Sequence, residues 1–375
     1  MVDDGLDNFE PVARIVVLGV GGAGNNAVNR MIDENINNVE FYVLNTDKQA
    51  LSLSKAPNRI VIGEEITHGL GAGGNPQVGK QAAEASADKI KEIVTGANLV
   101  FVAAGMGGGT GTGAAPVICK IAKEAGALTV AIVTRPFAFE GNRKVEYSVE
   151  GLNELKNNSD SIIVVNNDKL SINNGSLPVI GAFGEADKVL ALSVKTVTDL
   201  ILMPAIINLD FADVNAILKD SGITLIGFGS GSGEKRAEDA ALSALSSPLI
   251  EQSIQGATKG ICHVTCGPQV SLYDSQLCVQ TIIDHSGKQM DIKLGITVND
   301  QLDDTMLVSI IASGYGKDVD FSKPLENNVP LFNNNNINKQ PEEVVNNSDT
   351  EEKKEETKVN DEDDLIPSFL EGLMK

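Results

Sequence analysis

Residues 105–113 read Gly105-Met106-Gly107-Gly108-Gly109-Thr110-Gly111-Thr112-Gly113. Six glycines in nine residues carry a heavy cost in backbone entropy, so the run must serve a purpose that side chains would defeat. An apolar, β-prone stretch (99–103) precedes it, and Ala114-Ala115-Pro116 opens a helical pattern after it. A glycine loop between a strand and a helix presents successive N–H groups as an anion nest, and the Thr hydroxyls add donors. The run contains no Lys or Arg, so any anion held here would be met by backbone dipoles.

A second loop of this kind lies upstream. Gly19-Val20-Gly21-Gly22-Ala23-Gly24-Asn25-Asn26 follows the run RIVVL at 14–18 and leads into helical spacing over 26–32. It satisfies G-x-G-x-x-G in the strand-to-helix context that places phosphates on a helix N-terminus. By itself it supports a dinucleotide site, with Asp47 about 20 residues on as the ribose-binding acid. A dinucleotide enzyme needs one such loop, whereas two at strand ends suit one triphosphate bound across both. A third glycine run, Gly74 to Gly79 with Lys80, mimics a P-loop, but Gln81 replaces the Ser or Thr that would hold Mg²⁺ and no strand precedes it.

Working outward, apolar strand patterns fall at 41–44, 59–62, 129–133 and 161–165, with helical stretches at 81–94, 114–124 and 145–156. Continuous rather than alternating apolar strands imply burial on both faces, hence a parallel sheet flanked by helices. Phe183, Ala186, Leu190, Val194, Val197 and Ile201 form one stripe at helical spacing, predicting a long helix over 183–203 that Pro204 ends. Strand patterns at 223–228, 260–266, 290–294 and 305–312, with helices at 236–246 and 274–284, predict a second, smaller α/β domain. Asp213 reads as an N-cap for a helix over 214–219. Cys262 and Cys266 share a strand face with Val264 and read as core thiols rather than zinc ligands; general acid–base roles for His68 and His285 are not expected.

The chain carries 51 acidic and 30 basic side chains, a net charge of −21, which argues against nucleic acid as the main partner. Aromatics are 4% and Trp is absent, which also argues against single-strand stacking platforms. The acidic N-terminus does not read as a signal peptide, no apolar run is long enough to span a bilayer, and four irregularly spaced cysteines fit a reducing cytoplasm. From Asp318 onward there are 15 acidic and 6 basic residues, and the Asn-rich and Glu/Lys-rich text predicts disorder. Leu365, Ile366, Phe369, Leu370, Leu373 and Met374 then predict an apolar helical face suited to a partner groove.

GVGGAGNNAV (19–28), NTD (45–47), GLGAGGNP (69–76), GGGTGTG (107–113), RPFAFEG (135–141) and NLDFADV (208–214) stand in this order. The set resembles the FtsZ family of tubulin-like division GTPases over 13–316, and again in the terminal DDLIPSFL (363–370). The resemblance implies a tubulin-like, Rossmann-type α/β GTPase domain at 13–182, a central helix at 183–204 and a C-terminal activation domain at 205–316. It adds an N-terminal arm at 1–12, an acidic linker at 317–360 and a partner-binding peptide at 361–375. It implies GTP or GDP with Mg²⁺, the phosphates being cradled by Gly21, Gly22, the turn Gly71-Ala72-Gly73 and Gly107, Gly108, Gly109, Thr110, Gly111 and Thr112. Asn26, Asn167 and Asp187 would recognise guanine, Phe183 would pack on the base and Glu140 would touch the ribose. Arg143 and Lys144 adjoin that site. Lys144 stands where the family usually has Arg, and Lys cannot match Arg's bidentate geometry. Gly74, Gln77 and Ala23 are lesser departures.

The resemblance further implies that Asn208, Asp210 and Asp213 complete the nucleotide site of a neighbouring copy, so that hydrolysis requires head-to-tail assembly. It implies a mid-cell site and a membrane-anchoring partner for 363–375, while the tail's acidity argues against direct membrane insertion. Two alternatives stand beside it: an NAD(P)-dependent dehydrogenase, and a GTP-binding structural homologue without turnover. The presence of both Asp210 and Asp213 weighs against the latter.

Overall fold

The computed structural model describes residues 13–169, 179–203, 205–247, 254–287, 290–315 and 321. The N-terminal arm, Pro204, the acidic linker and the terminal peptide therefore lie outside the described residues, Phe321 excepted.

Ten strands run in the spatial order β3-β2-β1-β4-β5-β6-β7-β10-β8-β9. The first seven are β1 (Ile15–Val20), β2 (Glu40–Asn45), β3 (Asn58–Val61), β4 (Leu99–Gly105), β5 (Leu128–Arg135), β6 (Ser161–Asn166) and β7 (Gly222–Gly231). Their pairings are all parallel. β1 and the first six residues of β4 are wholly buried, as continuous apolar strands require. β8 (Lys259–Cys266), β9 (Asp291–Val298) and β10 (Met306–Ser313) extend the sheet. β10 is antiparallel to both β7 and β8, whereas β8 and β9 are parallel.

The expected second domain is therefore joined to the first by a shared sheet, through only three residue pairs between β6 and β7, Ser161 with Gly222 to Ile163 with Thr224. Each side has its own core. One gathers β1, β4 and the helices over them; the other gathers Leu225, Cys262, Cys278, Val308 and their neighbours. Cys262 and Cys266 are buried there, as the strand alternation predicts, and so is Cys278.

The helical stretch at 81–94 is two helices, Pro76–Ala85 and Ala87–Val94. Ser86 breaks it: its hydroxyl accepts from Gly63 N–H at 2.9 Å. The first of these helices explains the false P-loop. Asn75 caps it, Pro76 takes its first turn, and Lys80 pairs with Glu154 rather than with an anion. The long helix spans Val179–Leu202, with Leu190, Val194 and Val197 fully buried along the predicted stripe.

Candidate nucleotide site

The strand order reverses direction between β1 and β4, the topological switch point of a doubly wound sheet, where ligands bind beyond the strand ends. Both glycine loops sit there. A cavity of about 300 Å³ opens between them, within the size range of small-molecule sites. Its wall includes Gly22, Asn26, Gly108, Gly109, Thr110, Gly111, Glu140, Asn167, Phe183 and Asp187. Ten of the predicted residues therefore meet in one place, from five separate segments of chain.

Two helices begin at this cavity, Gly21–Asp33 and Thr110–Glu124, and neither has an acidic residue in its first turn. Free N–H groups and two positive dipole ends converge on one space. The lining contains no Lys or Arg. The second helix starts four residues earlier than its sequence pattern suggests, so Gly111, Thr112 and Gly113 are helical rather than free loop.

The glycines divide into two sets. A Cβ on Gly22 or Gly108 would meet nothing within 4 Å, and both residues face the cavity. The others are held open by the protein itself. Gly21 has φ +72°, and a Cβ there would lie 2.9 Å from Gly111 N, so the two loops touch at this point. Gly107 has φ +97° and sits against the backbone of Lys144. Gly113 admits the Pro76 carbonyl, and Gly109 admits Ala72 and Asn75.

Several of the predicted residues lie off the cavity wall. Gly21, Gly107 and Thr112 do not line the cavity. Thr112 Oγ1 accepts from Gly107 N–H at 2.8 Å, so this pair shapes the loop. Gly71, Ala72 and Gly73 also lie off the wall; Ala72 packs behind Gly109 and Gly71 N–H donates to the Thr46 carbonyl. Arg143 turns to Tyr147, donating to its hydroxyl at 2.8 and 3.0 Å. Lys144 pairs with Glu140 at 2.8 Å, holding a carboxylate that also accepts from Phe137 N–H. Asp47, read above as a ribose acid, caps the helix Lys48–Ser52 and does not line the cavity.

Polar side chains also stand on the wall. Asn167 is buried, and its Oδ1 has no hydrogen-bond partner among the described residues. A buried acceptor in that condition costs about 1–3 kcal/mol until a donor reaches it. Asp187 stands on the same wall, with burial pushing its carboxyl up to about 7 against a smaller pull from Arg30. An acceptor pair of this kind suits a ligand edge that presents N–H groups. Phe183 flanks them, held edge-on by Phe137, whose ring centroid is 5.0 Å away.

Asn25 escaped the sequence reading. Buried beneath the first loop, with its amide oriented to donate, it bonds the carbonyls of Gly19 at 3.1 Å and Gly21 at 2.8 Å.

Asn208, Asp210 and Asp213 lie elsewhere, none of them on the cavity wall. Asp210, not Asp213, is the N-cap of the helix Phe211–Leu218. Its carboxylate accepts from Asp213 N–H at 2.8 Å, and Asp213 reaches back in a capping box. Asp213 also faces Lys293 at 3.5 Å, and Asn208 Oδ1 accepts from Ala205 N–H.

Comparison with known proteins gives this arrangement a class. Residues 14–174 match the Tubulin/FtsZ family, GTPase domain, and residues 222–316 match the FtsZ family, C-terminal domain. The fold and its paired glycine loops are those of a tubulin-type GTPase. The chain is 50% identical over 321 residues to the cell division protein FtsZ of Mycoplasmopsis pulmonis, covering 86% of this chain and 82% of that one. An empty FtsZ dimer from M. jannaschii matches at TM-score 0.76 and 41% identity, covering 82% and 90% of the two chains. GDP-bound CetZ1 from Haloferax volcanii shares the fold at TM-score 0.71 and 20% identity, covering 82% and 96%. This chain belongs to the FtsZ family. The dehydrogenase reading falls with that result and with the capping role of Asp47.

Proposed function

We propose that this chain is a polymerising GTPase of cell division, and that its GTP is hydrolysed where two copies meet head to tail. One observation carries the reading: the cavity and the Asn208–Asp213 segment lie at opposite ends of the helix Val179–Leu202. Asp187 stands on the cavity wall and the acidic loop follows Leu202, fifteen residues on. At 1.5 Å per residue that is about 22 Å. Carboxylates that far away cannot orient water on a nucleotide bound in their own chain. They can do so for a nucleotide bound in the next copy. Each chain then offers a cavity at one end and a loop at the other, a heterologous contact that does not close and so grows a filament. The surface supports this. Leu70 (84% exposed) and Phe139 (72%) flank the cavity end, and Ile206 (72%) stands in the loop at the other.

Within the cavity, Gly22, Gly108, Gly109, Thr110 and Gly111 hold the phosphates. Gly21, Gly107 and Thr112 shape those loops, and the turn Gly71-Ala72-Gly73 places Ala72 behind Gly109. Asn26, Asn167 and Asp187 read guanine, Phe183 packs on the base, and Glu140, steadied by Lys144, contacts the ribose. The orphaned Asn167 acceptor and the open faces of Gly22 and Gly108 fit such a ligand. Two helix ends supply only about half a charge each, leaving most of a triphosphate's charge unmet. Mg²⁺, which favours phosphate oxygens and water over an all-protein cage, fits that deficit. Bound there it would neutralise charge on the transferring phosphoryl group. Asp210 and Asp213 of the docking copy then orient the attacking water, and Asn208 fixes their loop.

The domain limits follow the same reading: a GTP-binding domain at 13–182, a central helix at 183–204 and an activation domain at 205–316. The segment 317–360 tethers the filament, and 363–375 binds a membrane-anchoring division protein at the mid-cell site in the cytoplasm. Among the described residues no helix is long and apolar enough to cross a membrane.

The test is phosphate release against protein concentration for wild type, Asp213→Ala and Asp210→Asn. Asn caps as well as Asp, so the second variant keeps its helix. Wild-type turnover per chain should rise steeply above a threshold. Both variants should bind GTP and fail to turn it over. Wild-type turnover proportional to protein at every concentration would mean that each chain carries a complete site.

A further inference from the structure

We propose that Thr46 is a positioning residue that fixes the direction in which Thr110 donates its proton to bound phosphate. The inference rests on the assignment of phosphate to the cavity beside Thr110. Thr46 follows β2 immediately and is completely buried. Its Oγ1 lies 2.7 Å from Thr110 Oγ1, a contact spanning 64 residues of sequence. Thr110 is the first residue of the helix behind the phosphate loop and lines the cavity.

Each hydroxyl has one proton to give, and only one proton can lie between the two oxygens. Among the described residues neither hydroxyl has another partner. If Thr110 donated to Thr46, the Thr46 proton would be left in the interior with nothing to receive it. If Thr46 donates to Thr110, the Thr110 proton is left at the cavity wall, where water or a phosphate oxygen accepts it. Burying an unsatisfied donor is the costlier choice, so the chain runs Thr46 to Thr110 to ligand. Aligned hydroxyls also polarise one another, which strengthens the outer bond. The Thr46 carbonyl accepts from Gly71 N–H at 3.1 Å and from Thr67 Oγ1 at 3.2 Å, so its position is fixed from the opposite side.

The experiment is an equilibrium titration of the full-length chain with a fluorescent GTP analogue and Mg²⁺, below the assembly threshold. It compares wild type, Thr46→Val, Thr46→Ser, Thr110→Val and the double valine variant, with a thermal melt of each. Thr46→Val should weaken binding about 2- to 10-fold, the range of one neutral hydrogen bond. Thr46→Ser should bind within about twofold of wild type, because it keeps the donor. The double variant should bind no more weakly than Thr110→Val alone, since Thr46 acts only through Thr110. Additive losses in the double variant, or wild-type affinity in Thr46→Val, would overturn the proposal. Should Thr46→Val melt well below wild type, the comparison of Thr46→Ser with wild type and the double-variant cycle still decide it. A wild-type chain that binds no GTP would instead overturn the site assignment itself.

Discussion

Asp187→Asn separates what the cavity does for folding from what it does for guanine. Burial pushes the Asp187 carboxyl up to about 7 from an ordinary 3.8, and the nearby Arg30 opposes this only in part. A rise of about 3 units corresponds to about 4 kcal/mol against the ionised form in the empty folded protein. A carboxyl raised in this way holds its proton more tightly folded than unfolded. Stability is therefore lost as pH climbs from about 4 to about 7, and the loss stays at its full value above that. Asparagine has nearly the same shape and no charge. The empty variant should melt with wild type near pH 4 and above it at pH 8, by up to about 8 °C if the whole penalty is relieved. Guanine binding should move the opposite way. A carboxylate accepts from both the N1–H and the 2-amino group, whereas the amide sets a donor against a donor. Losing charge-assisted bonds worth about 3 kcal/mol weakens binding roughly 150-fold. Because only ionised Asp187 accepts both protons, wild-type affinity should fall about tenfold per pH unit below 7. Terminal phosphate titrates near 6 as well, so the slope is read against that of the variant. Calorimetry of nucleotide-free protein and titration with a fluorescent nucleotide measure the two effects. A variant that melts below wild type at pH 8, or that keeps the wild-type pH slope, refutes the reasoning.

Three further outcomes follow from the same geometry. Gly22→Ala should leave the melting temperature within about 1 °C, since its Cβ meets no protein atom, yet weaken GTP binding in an equilibrium titration; Gly113→Ala should cost about 1–3 kcal/mol of stability in urea unfolding, because it overpacks against the Pro76 carbonyl. Leu70→Asp should leave folding and GTP affinity unchanged in dilute protein, since the side chain is 84% exposed, while raising the threshold concentration for turnover at least tenfold.

The parts of this molecule that were legible in its sequence are those fixed by local chemistry. Strand β4, the glycine run and the helix after it can be read because periodicity and turn residues lie within twenty positions of one another. The stripe from Phe183 to Ile201 is legible for the same reason. What sequence misses are contacts between distant residues. The hydroxyl of Thr46 could not be matched to Thr110 across 64 positions, although the apolar pair Val43-Leu44 just before it hints that this Thr is buried. Asp47 was drawn to a ligand by its spacing from the first loop, but helix capping won. Asp210 and Asp213 fit the capping pattern with Asp210 in the first place, and the pattern alone would have assigned them correctly. Ser86 breaks a helix that periodicity runs through, because its partner Gly63 is 23 residues away. Asp187 lies beside the apolar stripe rather than in it, and only the family resemblance marked it.

The division among the glycines explains why so many are needed for so few ligand contacts. The phosphate loop must lie against Gly21 on one side and against Ala72 and Asn75 on the other, while the helix behind it presses on Pro76. Each approach is closer than a Cβ allows, so Gly21, Gly109 and Gly113 are packing residues first. They close the loops around a space that Gly22 and Gly108 leave open. Backbone rather than side chains then faces the ligand, and a wall without Lys or Arg holds phosphate no more tightly than dipoles and a cation permit. That limit suits a cycle in which product must leave. Tight cationic clamps would retain GDP, whereas in the proposed mechanism the decisive carboxylates arrive with the neighbouring copy and depart with it.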